Sequence, residues 1–297
     1  MNNQLKTILL LGVLTALMIG AGAMIGRGFL YLFAALAIAM NFAAYFWSDR
    51  VVLRMSRARP VEDSEAPRLH AMVEELSIRA GIPKPRVYWI EDDQPNAFAT
   101  GRNPEHGVVA VTSGLMRRLT EREIRGVIAH EIAHIRNRDI LVASVAAMIA
   151  SVVTSVANVL QFAAIFGGGS NDGEEGGSPL GGLVWALLAP IGATLVQLAI
   201  SRSREYLADE SAANLTGDPE ALASALERLH AHAEAIEPAH AHPATASLYI
   251  VNPLAGGGSM LGSLFSTHPP AGKRIERLRA MTGMGGLRAI GGGYRAA

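Results

Sequence analysis

The chain has 297 residues, half of them hydrophobic and only 18% charged, and its mean hydropathy is positive. That composition is too apolar for an ordinary soluble domain, in which about a quarter of the residues are charged. The formal net charge of zero gives no reason to expect a nucleic-acid partner, and the absence of cysteine excludes disulfides and thiolate metal sites, so imidazoles and carboxylates must hold any metal.

Four uncharged apolar segments are each long enough to cross a bilayer as a helix, which takes about 17–25 residues. They cover residues 8–25, 29–47, 140–166 and 180–200. Only a Gly-Arg-Gly linker joins the first two, which therefore predict a tight helical hairpin. The other two predict a second hairpin, so we expect a protein with four transmembrane helices.

Alternatives remain open for these segments. The first segment would also fit a cleaved signal peptide, because Ala21-Gly22-Ala23 resembles a small-residue cleavage site, although a second apolar segment follows at once. The third and fourth segments carry scattered Ser, Thr, Asn and Gln residues, which would also fit a hairpin that is shallow or buried in protein.

Positive charge predicts the orientation of the hairpins, since short cytoplasmic loops are enriched in Lys and Arg. The loop between the third and fourth segments, "GGGSNDGEEGGSP", has three acidic residues and no Lys or Arg. Both termini and the regions 48–139 and 201–297 are therefore expected on the cytoplasmic side. The arginines next to the segments on that side are Arg50, Arg54, Arg57, Arg59, Arg136, Arg138, Arg202 and Arg204.

The region between the two hairpins predicts a helix followed by a small sheet. The helix is expected to begin after Ser64 as its N-cap and to end near Gly81. The β-branched and aromatic runs 86–92 and 107–114 predict strands, and the "NAFATG" stretch between them allows a third.

The next helix carries the motif on which the functional prediction depends. Thr120 and Glu123 stand in capping-box spacing at its start, and isoleucines at helical intervals indicate a core-packed face. His130, Glu131 and His134 then fit H-E-x-x-H. Both imidazoles lie on one helix face and can bind one zinc ion, with the glutamate beside them as a base. The alternative is two helix-face histidines that bind no metal.

The region after the fourth segment predicts three further helices. "SRSREYLADESAANLTG" is expected to be helical to about Leu215, and Asp218-Pro219 is a typical start for a helix over 219–235. The Gly- and Pro-rich residues 238–266 predict a loop. A last short helix begins in "HPPAGKRIERLRAM", and a loose tail is expected after Met281.

A catalytic zinc ion needs a third protein ligand and one open position. Glu205 is the candidate third ligand, and Asp209, one helical turn further on, is suited to hydrogen-bond a ligand imidazole. A solvated helix face is the alternative interpretation of this pair.

Four motifs in chain order, "NAFATG", "HEIAH", "SRSREYLAD" and "STHPP", make this chain resemble the HtpX-type membrane zinc metalloproteases, relatives of the CAAX prenyl-protein endopeptidases. The resemblance covers nearly the whole chain up to Met281. It implies a zincin-like fold, one Zn²⁺ per chain, and cleavage of misfolded or damaged membrane proteins in the bacterial cytoplasmic (inner) membrane, as in stress response and protein quality control.

The resemblance also implies roles for individual residues. Glu131 would be the general base, Asn96 would hold the substrate backbone on an edge strand, and His268 would stabilise the transition state. An ordinary turn asparagine and an ordinary loop histidine are the alternatives for the last two. The implied zinc ligands, and the acid that supports them, are His130, His134, Glu205 and Asp209.

The predicted architecture is a mainly α membrane protein with a small α+β zincin-like cytoplasmic peptidase domain. Residues 1–50 and 140–200 are the two hairpins, and 51–139 and 201–297 are the two parts of the peptidase domain. The expected partners are protein substrates, themselves membrane proteins, and the lipid bilayer, and the oligomeric state stays open. The rival function is a metal-binding membrane scaffold or sensor, which would have no need of Glu131.

Overall fold

The computed structural model describes residues 3–25, 27–151, 202–236, 238–239, 245–253 and 269–291. Its first two helices, α1 (Asn3–Ile25) and α2 (Arg27–Met55), pack against each other as a hairpin. Asn41 of α2 donates a hydrogen bond to the Thr15 hydroxyl of α1 over 2.7 Å. Such a hydrogen bond links two apolar helices through their polar side chains.

The structure confirms one clear apolar span among the residues it describes. α2 is long and apolar enough to cross a membrane. In α1 the apolar stretch is shorter and covers Leu5–Ala16. The third predicted segment is described only in part, as helix α6 (Ile140–Ser151). The fourth predicted segment lies outside the described residues.

A small mixed sheet has the strand order β1-β2-β4-β3. β2 and β4 are parallel, and β1 and β3 pair antiparallel with them, so that β3 is an edge strand. The two predicted strands and the allowed third are confirmed as β2, β4 and β3, and the short β1 was not predicted. The strands are β1 (Arg59–Pro60), β2 (Arg86–Ile90), β3 (Ala97–Thr100) and β4 (Val108–Thr112).

Three helices alternate with and follow these strands: α3 (Pro67–Ala80), α4 (Ser113–Arg118) and α5 (Glu121–Arg136). The expectation that Ser64 caps α3 is wrong, because the N-cap is Ala66 and makes no side-chain cap bond. Proline is favoured at the first helical position, where its missing N–H costs nothing. The predicted capping box of α5, between Thr120 and Glu123, is present in full.

The remaining helices are α7 (Arg202–Thr216), α8 (Pro219–Ala235) and α9 (Ala271–Gly291). Asp218 caps α8 as predicted, since its side chain accepts a hydrogen bond from the Ala221 N–H. The expectation of a loose tail after Met281 is wrong as far as Gly291, because α9 continues to that residue. Once packing holds the first turns of a helix, each further residue extends it at little cost in free energy, because it adds a backbone hydrogen bond. The glycines after Met281 therefore do not end α9.

The sheet is covered on both faces, which explains why all five residues of β4 are buried. Helices α3, α5 and α7–α9 pack on one face and form the main core. On the other face, Val52 of α2 and Ala147 of α6 share a buried cluster with Phe98, to which Leu248 and Tyr249 also belong. The sheet therefore joins the core of the predicted peptidase domain directly to the apolar helices.

Helix α5 is fixed in this core by close contact with α8. A Cβ atom at Gly126 would lie only 2.8 Å from the backbone nitrogen of Leu222, so a larger residue there would force the two helices apart. The C-terminal half of α5, which carries the H-E-x-x-H motif, is consequently placed by backbone-to-backbone packing.

Candidate metal centre

Three side chains converge where α5 meets α7. His130 and His134 lie one turn apart on α5, and Glu205 stands in the first turn of α7. His130 and Glu205 are almost completely buried, at 1% and 4% exposure. Their potential ligand atoms lie within 4.8 Å of one another, and within the described residues this is the one group of three that could hold a metal ion.

The distances within this group fit a metal ion. The Nε2 atoms of the two histidines are 3.1 Å apart, and the Glu205 carboxylate oxygens lie 3.8 Å from His130 Nε2 and 3.6 Å from His134 Nε2. Zinc–ligand bonds of about 2.0–2.2 Å require roughly 3.3–3.6 Å between ligand atoms at the corners of a tetrahedron. Two imidazoles and one carboxylate are also a donor set that catalytic zinc sites use.

Glu131 is held between this group and the edge strand. The backbone N–H of Ala99 on β3 is close enough to the Glu131 carboxylate to lower its pKa, and only 2% of the residue is exposed. Burial, together with the nearby Glu205, raises the pKa of Glu131 to about 7. A carboxylate with a pKa near neutrality is suited to accept a proton and to return it.

A carboxylate lies behind His130. Oδ1 of Asp209 is 3.0 Å from His130 Nδ1, as an ion-pair contact that is not aligned as a hydrogen bond. Asp209 in turn accepts two hydrogen bonds from the Arg274 guanidinium, of 2.9 and 2.7 Å. Burial alone would raise the pKa of Asp209, but Arg274 outweighs it and holds that pKa at about 2.

Arg274 is completely buried and reaches the metal centre itself. One of its nitrogens lies 3.7 Å from the Glu205 carboxylate, and another lies 3.4 Å from His130 Nε2. The guanidinium therefore balances the charge of Asp209 and Glu205, which would otherwise be two buried carboxylates within one turn of α7.

A second carboxylate lies behind His134. Oδ2 of Asp139 accepts a hydrogen bond from His134 Nδ1 over 3.2 Å, and Oδ1 is 3.3 Å from the Arg204 guanidinium. The turn that ends α5 brings Asp139 there, because the N–H groups of Arg138 and Asp139 bond back to the carbonyls of Ile135 and His134. Arg138 has φ of 58°, the left-handed conformation that glycine usually supplies at this position.

The field of these residues favours a cation at the point where the ligand atoms converge. Burial lowers the pKa of His130 to about 4, so this imidazole is neutral and able to act as a ligand. Burial would also lower the pKa of His134, but Asp139, Glu205 and Glu131 raise it to about 9. Positive charge is thus stabilised at His134 by the surrounding carboxylates, which would equally stabilise a metal cation.

Asn96 lies on the edge-strand side of the site but is fully engaged in the protein. Its side-chain nitrogen donates to the Val251 carbonyl over 2.7 Å, and its oxygen accepts from the Ala97 N–H over 3.1 Å. The Ile250 N–H also bonds to the Ala97 carbonyl, so residues around 250 cover this end of β3. His268 lies outside the described residues.

Sequence reasoning missed Asp139, Arg204 and Arg274. Asp139 had a local signal, since it directly follows the helix that carries the motif and can fold back on its last turn. Arg274 had none, because it stands 65 residues from Asp209 and α9 has several arginines of similar context.

The sequence of this chain matches a known peptidase family and its members. Residues 63–282 match peptidase family M48. A protein named protease HtpX homolog from Syntrophobacter fumaroxidans is 53% identical over 285 residues, which cover 95% of this chain and 100% of the relative. A protein of the same name from Ralstonia pickettii is 49% identical over 288 residues, which cover 96% and 99% of the two chains.

One solved structure was also matched by this chain. The crystal structure of S. mikatae Ste24p is 22% identical to this chain, with a TM-score of 0.46. The match covers 90% of this chain but 62% of that one, so this chain spans less than two thirds of its length.

Proposed function

This chain belongs to peptidase family M48, and from that premise we propose that it cleaves misfolded or damaged membrane proteins at the cytoplasmic face of the bacterial inner membrane. It is an HtpX-type membrane metallopeptidase whose His-His-Glu group is typical of the zinc peptidases of this family. The substrate class, the metal as one Zn²⁺ per chain, and the individual residue roles are our proposals.

The observation that carries the proposal is the position of Glu131. In our assignment His130, His134 and Glu205 hold the zinc ion, which when bound lowers the pKa of a water molecule and polarises a peptide carbonyl. Glu131 accepts a proton from the attacking water and passes it to the leaving amine. The Ala99 N–H near its carboxylate puts Glu131 beside the edge strand on which a peptide would lie.

Edge-strand binding supports a substrate with an extended backbone. A peptide that adds to β3 would be held through its main chain, which gives affinity with little dependence on sequence and suits unfolded substrates. We propose that Asn96 takes part in this contact. Because its amide now bonds to Val251, the residues around 250 must release it before it can hold a substrate backbone.

His268 remains our proposed donor to the developing oxyanion, on the strength of the family motif alone. It lies outside the described residues, as the first residue of the "HPP" stretch that directly precedes α9. A histidine in that role would donate a hydrogen bond to the tetrahedral oxygen as negative charge develops there.

The proximity of the site to the apolar helices supports substrates in or near the membrane. His134 precedes the start of α6 by only six residues, and the sheet beside the site packs directly on α2 and α6. Together with the distribution of arginines, this supports a multi-pass protein whose site and termini face the cytoplasm.

The experiment that tests the function compares Glu131→Gln with His134→Ala in the full chain purified in detergent. Glu131→Gln keeps all three proposed ligands, so zinc content should stay near one per chain while cleavage of an unfolded membrane protein falls at least about 10²-fold, because an amide cannot accept the proton. His134→Ala should lose both zinc and cleavage.

The control is Glu121→Gln, an exposed glutamate at the start of the same helix, which should keep both properties. The rival function, a metal-binding scaffold or sensor, predicts that Glu131→Gln changes nothing. A zinc-loaded Glu131→Gln protein that cleaves like wild type would refute the proposed mechanism.

A further inference from the structure

A cavity of about 520 Å³ opens where the apolar helices meet the peptidase domain. It is lined by α1 and α2, by the turn between β3 and β4, and by the turn that joins α5 to α6. This volume lies within the range of about 300–1,000 Å³ that is typical of small-ligand sites. The cavity is separate from the metal centre, since none of the proposed ligands lines it.

One part of the cavity wall is cationic. Arg102 and Arg138 both line it, accompanied by the side-chain amides of Asn103 and Asn137, and the described lining contains no carboxylate. Arginine presents several N–H donors in a planar fork that matches phosphate oxygens. Two arginines and two amides without an acid are the recognition chemistry of a phosphate group.

The turn that ends α5, which also places Asp139 behind His134, brings Arg138 into this wall. Arg138 adopts φ of 58°, a left-handed conformation that is uncommon and strained for a residue with a side chain. Glycine would meet the same turn without strain. The chain nevertheless keeps an arginine here, and its side chain lines the cavity.

The rest of the cavity is apolar and belongs to the membrane part of the protein. Ile8 and Leu11 of α1 and Leu141 and Val142 of α6 line it, next to Tyr45 of α2. Buried apolar residues of α1, α2 and α6 form one cluster, so the three helices pack against each other beside the cavity. Tyrosine is enriched at the headgroup level of membranes, where one end of its ring is wet and the other apolar.

Arg102 is positioned at the same level by an aromatic contact. Its guanidinium lies 5.5 Å from the centre of the Phe46 ring on α2, four residues before the first arginine that follows the span. The same guanidinium also contacts Nε2 of His106. An arginine over an aromatic ring near the end of an apolar helix is expected to lie at the level of lipid headgroups.

We propose that this cavity binds one anionic phospholipid, with its phosphate at Arg102 and Arg138 and its glycerol and upper acyl chains along Ile8, Leu11, Leu141 and Val142. The combination of a cationic wall with an apolar wall fits a lipid and does not fit a free phosphate, which would leave the apolar wall uncovered. The charge of the lining selects an anionic headgroup over a zwitterionic one.

The test measures lipid binding to the full chain in detergent, after removal of native lipid, by native mass spectrometry. Dioleoyl phosphatidylglycerol is titrated against dioleoyl phosphatidylcholine. The wild type should bind one phosphatidylglycerol per chain in preference to phosphatidylcholine. Arg102→Gln/Arg138→Gln should weaken that binding at least about tenfold, because two charge-assisted hydrogen-bonding groups are lost.

Two further variants isolate the site. Arg117→Gln/Arg118→Gln removes the same charge from exposed positions on α4 and should bind phosphatidylglycerol like wild type. Leu11→Trp keeps both arginines but fills the apolar part of the cavity, and it should also weaken binding. Melting temperature and zinc content identify variants that fail to fold. If the double arginine variant fails to fold, the Leu11→Trp protein tests the site in its place.

Several results would overturn the proposal. Equal binding by the wild type and Arg102→Gln/Arg138→Gln proteins, or equal binding of the two lipids, would show that the cavity recognises no anionic lipid. Displacement of phosphatidylglycerol by millimolar glycerol 3-phosphate would show a soluble-phosphate site instead. Displacement by an unfolded polypeptide would assign the cavity to substrate.

Discussion

Asp139 and His134 are joined by a hydrogen bond that exists because α5 ends where it does. The turn after Arg136 folds the chain back by one helical turn, so that the Asp139 carboxylate accepts from His134 Nδ1 over 3.2 Å. His134 Nε2 is thereby directed towards Glu205, 3.6 Å away. Each histidine of the motif thus has a carboxylate behind it, Asp139 for one and Asp209 for the other.

Asp139→Asn should weaken zinc binding by about 10–100-fold, because the carboxylate fixes the tautomer and orientation of His134 and makes it a better ligand. Competition with a chromophoric chelator measures this without reference to catalysis. Asp93→Asn, an exposed acid paired with Arg117, should leave zinc affinity unchanged. Unaltered zinc affinity in Asp139→Asn would mean that the hydrogen bond does not orient the ligand.

Arg274→Met should lower the melting temperature strongly, because it leaves Asp209 as a buried charge without its partner, a change that costs about 3–5 kcal/mol. Differential scanning in detergent measures the shift. Arg277→Met is the matched control on the same helix: that guanidinium stacks on the Tyr206 ring at 4.1 Å, and its loss should cost far less. Equal shifts for the two variants would contradict the assignment of Arg274 to the core of the site.

Stability should depend on pH through the cap of α8. The hydrogen bond from Arg122 lowers the pKa of Asp218, so the folded state binds its proton more weakly than the unfolded state. The stabilisation is therefore fully present above the unfolded pKa of about 4 and is lost as the pH falls through the lower folded value.

Asp218→Asn keeps the cap but loses the charge, and it should melt about 1–2 °C below wild type at pH 7. The difference should shrink as the pH approaches 3. Arg122→Gln removes the pair from the other side and should show the same pH dependence. A difference that stays constant across this range would show that the pair does not stabilise the fold.

Cysteine labelling should locate the two sides of the membrane, since the chain has no native cysteine. A cysteine at Ser170, which lies outside the described residues, should react with an impermeant maleimide on intact cells. A cysteine at the exposed Glu121 should react only after lysis. Ser247 is a poorer cytoplasmic probe, because only 6% of it is exposed. Reaction of both positions on intact cells would refute the predicted orientation.

Local signals in the sequence predicted most helix and strand positions. The capping box at Thr120 and the Asp218-Pro219 pair begin α5 and α8 where expected, because both signals act through hydrogen bonds within one turn. The H-E-x-x-H spacing brought two imidazoles together for the same reason, since one turn of helix fixes their separation. Glu205 and Asp209 were candidates from the need for a third ligand and from their spacing on one helix, and the family motif implied the same roles.

The features that sequence could not predict depend on contacts between distant segments. Arg274 is buried because Asp209 and Glu205, contributed by α7, accept its charge, and no pattern within α9 indicates that. The membership of the chain in peptidase family M48 confirms the family resemblance. Its four predicted spans are confirmed only as one clear apolar helix among the described residues, and the other spans stay predictions.

Both faces of the sheet are covered, and this limits how much of the N-terminal region can be removed from this enzyme. Phe98, Val108 and Ala110 have no exposed surface, and α2 and α6 cover them together with Leu248 and Tyr249. A fragment that begins after Met55, made to obtain a freely soluble catalytic domain, would uncover part of this strip and present it to water beside an edge strand. Such a fragment should associate with itself. The apolar helices thus form part of the core that covers the sheet. We expect detergent or lipid to be needed to keep these helices packed on it.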